Sequence, residues 1–438
     1  ELLAACEADP ALAADAAAAA GLREIRRDYD RATRLPTELV RACSEAASRA
    51  MLAWRQAREE NRFAAFAPWL QRIVELSRER AAALGVPPGG TPYDVLLDEY
   101  EPGATSREVD AVFARLRAGL VPLLRAAAGR AVTEPGWKRA RIPLPLQRAL
   151  VEGVMERMGF DARAGRLDES AHPFCDGIGP GDTRLTTRWA EDGFFTTLAA
   201  VMHETGHALY EQNLPADRFG QPLGEAAGTA VHESQARLWE NFVGRGRPFW
   251  EWVLPRIRDA VGDPAFAALT VDDVCREVGA VRPVLLRIEA DEAAYNLHVM
   301  LRYDLERALL AGDLAVDELP GAWNERFAAD FGVEVPDDAR GCLQDVHWAA
   351  GGFGYFPTYA LGNLYAGQLW EAVRRALPGL DDDLRRGEFG GLAEWLRANV
   401  HAHGRRFTPP ELCERATGRP LGHEALLGYL REKLAAMA

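Results

Sequence analysis

The chain has 438 residues, 48% of them hydrophobic and 26% charged, a balance that excludes a disordered chain and supplies a large core. Its 51 basic and 65 acidic side chains leave a net charge of −14. A surface of that sign repels phosphate backbones, so no nucleic-acid partner is expected. A membrane-spanning helix needs about 18 consecutive apolar residues. The sequence has no such run, so no membrane partner is expected. The alanine-rich start, Ala11 to Ala20, is broken by Asp15 and has no basic leader, so it does not read as a signal peptide. Six cysteines (Cys6, Cys43, Cys175, Cys275, Cys342 and Cys413) form no close pair, which predicts reduced thiols and a cytoplasmic protein.

Apolar residues at three- and four-residue steps predict helices over Thr37–Ala57 and Pro68–Leu84. The stripe Val109, Val112, Phe113, Leu116, Leu120 and Leu123 predicts a third over Ser106–Gly129, opened by a Thr105/Glu108 capping box. Phe160–Trp189 mixes glycine and proline with short threonine-rich pieces and reads as a small irregular β-segment. Further helices are predicted over Phe194–Gln212, Glu225–Arg245, Pro283–Leu310 and Leu361–Leu377. On the long Pro283–Leu310 helix, Leu285, Ile288, Tyr295, Val299 and Leu305 are the expected buried positions. No repeat, low-complexity linker or charge block divides the chain. Residues 1–438 are therefore expected to form a single domain of mainly α class, a helical body with a cleft.

The sequence His203-Glu204-Thr205-Gly206-His207 lies inside the Phe194–Gln212 helix. Four residues advance a helix by about 400°, so both imidazoles share one face and can reach one ion. Glu204, rotated by about 100° from His203, can contact water there without being a ligand. A third ligand is expected from the next helix. If that helix runs antiparallel, the chain climbs back to the height of the histidines near His232 and Glu233. Glu233 is chosen, because two histidines and a carboxylate leave one position on zinc open. His232 becomes a supporting or substrate-facing donor.

With these residues in place the sequence resembles the thermostable metallocarboxypeptidase family of the carboxypeptidase Taq type. The resemblance extends to His172-Pro173-Phe174, Asp182-Thr183-Arg184-Leu185-Thr186 and His232-Glu233-Ser234. It continues through Leu286-Arg287-Ile288-Glu289-Ala290-Asp291, Gly341-Cys342-Leu343-Gln344-Asp345-Val346-His347-Trp348 and Gly354-Tyr355-Phe356-Pro357-Thr358-Tyr359. The family's N-terminal helical stretch with a Trp-Asp-Gln element has no counterpart before Glu1. The resemblance implies a two-lobed helical fold with a deep substrate cleft, similar to neurolysin and angiotensin-converting-enzyme type peptidases. It also implies release of single C-terminal amino acids from peptides with broad specificity, one zinc ion per chain that cobalt can replace, and a homodimer.

Roles follow from that chemistry. Zinc on His203, His207 and Glu233 would acidify water and polarise the carbonyl, with Glu204 as general base. His347, Tyr359 and Tyr355 are the candidates to stabilise the oxyanion. The free carboxylate of a C-terminal substrate calls for an arginine. Arg287 and Asp291, four apart on the predicted helix with His298 on the same face, read by themselves as an ordinary salt bridge; the resemblance turns them into substrate-binding residues. Arg184 is the second cation, with a bracing pair to Asp182 as its alternative. An oligopeptidase or dipeptidyl-carboxypeptidase on the same fold, and a non-catalytic peptide-binding protein, are the competing readings.

Overall fold

In the computed structural model, residues 1–128 and 135–436 are described. The chain folds into two compact units, Glu1–Arg130 with Val281–Ala360, and Ala131–Ala280 with Leu361–Ala438. Both are mainly helical, as expected, and no helix among the described residues is long and apolar enough to cross a membrane. All six cysteines are free, Cys342 and Cys413 buried and the others half-buried.

In the first unit Thr37–Glu59 and Phe63–Leu84 form a helical hairpin. The buried small residues Ala46, Ala50 and Ala57 belong to one helix, and Phe66, Leu70, Ile73 and Val74 to the other. The second helix starts five residues before the expected Pro68, because the Phe63 N–H finds a cap in Asp338 Oδ2 at 3.1 Å. Ser106–Ala128 begins at the expected capping box: Thr105 Oγ1 accepts the Glu108 N–H at 3.3 Å, and the Glu108 carboxylate takes the Thr105 N–H at 3.1 Å. Its end, expected at Gly129, lies outside the described residues. Leu124 rather than Leu123 completes its buried stripe.

Pro283–Leu310 is not one helix. A 3-10 turn spans Arg287–Glu289, and the α-helix covers only Ala294–Ala311. The break comes from Asp291, whose Oδ1 accepts the N–H groups of Ala293 (2.9 Å) and Ala294 (3.0 Å), the satisfaction that a starting helix demands. Its Oδ2 accepts the Arg282 N–H at 2.8 Å. Arg287, Asp291 and His298 therefore share no helical stripe, and Ile288, expected to be buried, is 70% exposed.

The Ala294–Ala311 helix buries Asn296, His298, Arg302 and Glu306 completely. Glu306 survives there because three donors converge on it: the Tyr93 hydroxyl at 2.7 Å, Trp348 Nε1 at 2.9 Å and the Gly354 N–H at 3.2 Å. Burial still wins, and the carboxyl is pushed up to about 7. The folded chain thus holds this proton more tightly than the unfolded one. The associated stability is present below the unfolded value of about 4.3 and is lost as pH rises through about 7. Denaturant unfolding across that interval is expected to show wild-type stability falling by up to about 1.4 kcal/mol per pH unit relative to Glu306→Gln. Parallel curves for the two proteins would contradict it.

The second unit holds the expected β-segment as a three-stranded sheet: β1 (Gly165–Glu169), β2 (Phe174–Gly179) and β3 (Asp182–Thr187), in the order β1-β3-β2. β1 runs parallel to β3, with Leu167 opposite Leu185, and β2 antiparallel, with Cys175 opposite Leu185. Thr183, Leu185 and Thr187, alternating along β3, share one buried face, and Thr186 is buried on the other. β2 and β3 pack on the Phe194–Gln212 helix, which carries Phe194, Leu198, Val201, Met202, Leu209 and Tyr210 into the core. The helix expected over Leu361–Leu377 begins earlier, at Phe356, and ends at Ala376.

Candidate metal centre

Two helices of the second unit build the centre. Phe194–Gln212 carries His203, Glu204, His207 and Glu211. The segment expected as one helix over Glu225–Arg245 is instead an α-helix over Thr229–Arg237 that widens into a π-helical stretch over Leu238–Val243. The two are antiparallel, since Glu211 and His207 pair with His232 while His203 pairs with Glu240. This antiparallel arrangement brings Glu233 up to the two histidines.

Gly206 lets the helices come this close. A Cβ there would stand 2.6 Å from Ala236 Cα and 2.7 Å from the Gln235 carbonyl oxygen, and backbone atoms cannot step aside as a side chain can. Gly206→Ala is expected to destabilise the fold by about 1–3 kcal/mol and to weaken metal uptake in the same variant, because it pries Glu233 from the histidines. Thermal unfolding and a metal titration check both.

One donor atom from each of His203, His207 and Glu233 lies within 4.8 Å of the others. Glu233 Oε2 is 3.9 Å from His203 Nε2 and 3.7 Å from His207 Nε2, too far for hydrogen bonds and near enough to share an ion. The opposite ring nitrogens are held. His203 Nδ1 pairs with Glu240 Oε2 at 2.9 Å, which fixes the proton on Nδ1 and turns the Nε2 lone pair toward Glu233. His207 Nδ1 pairs with His232 Nδ1, and His232 Nε2 meets Glu211 Oε1 at 2.7 Å. In the consistent tautomers His232 donates to Glu211 and His207 donates to His232, again leaving Nε2 as the ligand atom.

The electrostatics agree. Burial, with His232 and His203 adding to it, drives the His207 pKa well below the usual imidazole range, so the ring is neutral as a ligand must be. At His203 burial lowers the pKa, but Glu240 and Glu233 outweigh it and the net direction is up. Glu240 is largely withdrawn from water, yet Arg237 and His203 hold its carboxyl far below the usual range. Glu204 is buried, and its carboxyl is pushed up, first by desolvation and then by Glu233 and Glu240 against the pull of His203. His207 is thus ready to ligate, while His203 would give up its proton when an ion binds. Two converging imidazoles with a carboxylate fit a divalent ion, and a further buried carboxylate on the same helix fits a base.

These observations meet a match at the level of sequence. The family description "Carboxypeptidase Taq (M32) metallopeptidase" fits residues 1–434. The chain belongs to the M32 carboxypeptidase family. It is a metallocarboxypeptidase, a peptide hydrolase. Among its relatives is thermostable carboxypeptidase 1 of Thermus thermophilus, 43% identical over 96% of this chain and 84% of the relative. Carboxypeptidase 1 of Bacillus subtilis is 36% identical over 93% of this chain and 81% of its own length. The crystal structure of the M32 carboxypeptidase from Deinococcus radiodurans R1 superposes with a TM-score of 0.95 at 40% identity, covering 100% of this chain and 87% of that one.

The other site residues expected of an M32 enzyme fall into two groups. In the first unit Arg287, His347, Tyr355 and Tyr359 cluster together. Arg287 is buried; its Nε and Nη2 hold Asp345 Oδ1 at 3.1 and 2.8 Å, its Nη1 meets the Tyr295 hydroxyl at 2.9 Å, and it lies 4.9 Å from the Tyr359 ring centre. Arg302 takes the other Asp345 oxygen at 2.6 Å. His347 Nε2 is 3.1 Å from the Tyr359 hydroxyl, and the Tyr355 and Tyr359 rings meet edge to face. Outside that cluster, Asp291 opens a helix, and Arg184 on β3 is 54% exposed and clasps Asp182 through two hydrogen bonds of 2.9 and 2.7 Å. His232 pairs through its two ring nitrogens with His207 and Glu211. Arg237, Glu240, Glu211, Arg302 and the part played by Asp345 escaped the sequence reading. The spacings His203-His207-Glu211 and Glu233-Arg237-Glu240 were visible, each on one helical face.

Proposed function

We propose that this M32 enzyme is a zinc-dependent carboxypeptidase that releases single C-terminal residues from peptides with broad specificity. The observation that carries the reading is the convergence of His203, His207 and Glu233 with the buried carboxylate of Glu204 next to His203 on one helix. A divalent ion held there, which we take to be zinc with cobalt as a working substitute, supplies Lewis acidity that lowers the pKa of water from about 15.7 to about 7 and polarises a carbonyl. Glu204 takes the proton of the attacking water as its oxygen bonds to the carbonyl carbon, and returns it to the amine as the C–N bond breaks. His347, Tyr359 and Tyr355 serve as oxyanion donors, a contribution of roughly 3–4 kcal/mol for one well-placed group.

For the substrate carboxylate we favour Arg287. With Arg302 it shares a single Asp345 carboxylate, so the trio keeps one net positive charge behind the Tyr359 ring. Arg184, exposed although paired with Asp182, is the second cation. We further propose that residues 1–438 act as one catalytic domain with the neurolysin-like cleft the resemblance implies, as a cytoplasmic homodimer.

An N-terminally blocked pentapeptide incubated with the enzyme tests the reaction. Release of one free amino acid first, stopped by a chelator and restored by zinc or cobalt, is the expected result. A dipeptide as first product would make it a dipeptidyl-carboxypeptidase and an internal fragment an oligopeptidase. Binding without cleavage would leave a peptide-binding protein.

A further inference from the structure

The two oxygens of Glu233 have different surroundings. Oε2 faces the histidines, while Oε1 accepts a hydrogen bond from Arg237 Nε at 2.6 Å. The same guanidinium donates through Nη1 to Glu240 Oε2 at 3.0 Å, the oxygen that orients His203. All three side chains are largely withdrawn from water, with Arg237 15%, Glu233 8% and Glu240 12% exposed. On the opposite flank Gly362 closes against Glu233: a Cβ there would stand 2.6 Å from its Cγ. Gly362 thus leaves room for the Glu233 stem on that flank, and the outer oxygen is held by the Arg237 guanidinium.

From this geometry we infer that Arg237 is a positioning residue that restricts Glu233 to one-oxygen ligation and thereby keeps a position on the ion open. The inference rests on the metal-dependent reading above. A carboxylate left to itself can present both oxygens to a divalent cation. For Glu233 to do so, Oε1 would have to leave a charge-assisted hydrogen bond in a place where little water can replace it, and such bonds are about twice as strong as neutral ones. The planar fork of arginine suits this task, since it reaches both carboxylates in fixed directions, whereas a lysine ammonium would hold one of them. Arg237 also couples two ligands. By gripping Glu233 and Glu240 together it ties the carboxylate that would bind the ion to the one that aims His203. The widened turn that starts at Leu238 follows directly on the residue that makes this link.

The test uses the full chain loaded with cobalt, whose visible absorption is intense in four-coordinate sites lacking a centre of symmetry and weak at higher coordination numbers. Arg237→Gln is expected to lose absorption intensity as Glu233 turns its second oxygen to the ion. Arg237→Lys, which keeps the charge and one donor, is expected to show an intermediate loss. Wild-type intensity in Arg237→Gln, with one equivalent of cobalt bound, would overturn the inference. Should that variant not fold or not take up the ion, wild-type intensity in Arg237→Met, which has no donor to offer Oε1, overturns it instead. Failure of the wild-type chain to bind any divalent ion would be a different result, sinking the metal-dependent reading itself.

Discussion

Glu204→Gln is expected to lower kcat by about 10²–10⁴-fold, the usual contribution of a general base, while metal uptake stays unchanged. The amide has the shape of the carboxylate and cannot take a proton from water. Glu204 is not among the converging donors of His203, His207 and Glu233, so the ion should bind as before. Stability gives the second readout. Burial pushes the Glu204 carboxyl upward, so the ionised form is penalised in the folded chain. A group shifted in this direction stabilises at acid pH and loses that contribution as pH rises. The metal-free variant should therefore be as stable as wild type or more so at neutral pH, with the advantage shrinking toward acid. Loss of activity together with loss of metal or of fold would show that Glu204 supports the centre instead of acting within it.

How far the sequence carried depended on the range over which its signals act. His203, Glu204 and His207 were legible because one helical turn determines their relation, and Glu233 because two antiparallel helices can be counted up and down. The capping box at Thr105 was legible for the same reason: its partners are three residues apart. The stripe Glu233-Arg237-Glu240 obeys the same rule but looks, in sequence, like any exposed run of alternating charge. Only burial distinguishes it, and burial is set by distant segments such as the one bearing Gly362. The widening of the helix beyond Arg237 left no mark that periodicity could detect.

Arg287 shows the opposite failure. Leu285 and Ile288, ahead of the helix, keep a helical spacing with Tyr295 and Val299 inside it, and the apolar pattern concealed the break between them. Asp291, a good helix-starting residue just ahead of two alanines, was the contrary signal. Once the helix starts there, Arg287 is free to turn toward Asp345, 58 positions along the chain. No spacing rule reaches that far, so its partner came from the fold alone.

The second large effect is expected from Glu233→Gln. The amide has one oxygen and one nitrogen to place where the carboxylate had two oxygens. Keeping the oxygen toward Arg237 Nε leaves an NH2 group facing His203 and His207, which cannot ligate. Turning the oxygen to the imidazoles sets the NH2 against the arginine donor, and two donors then meet in a site almost closed to water. Either arrangement costs affinity. Loss of a supporting residue around a metal typically costs about 10–100-fold, and a residue that itself supplies a ligand atom should exceed that. Competition with a chelator reads the affinity directly, and activity should return in part when zinc or cobalt is raised, because Glu204 is untouched. An affinity within a few-fold of wild type would mean that the ion is held elsewhere, and the two imidazoles on the Phe194–Gln212 helix would then lack the partner on which the hydrolytic site depends.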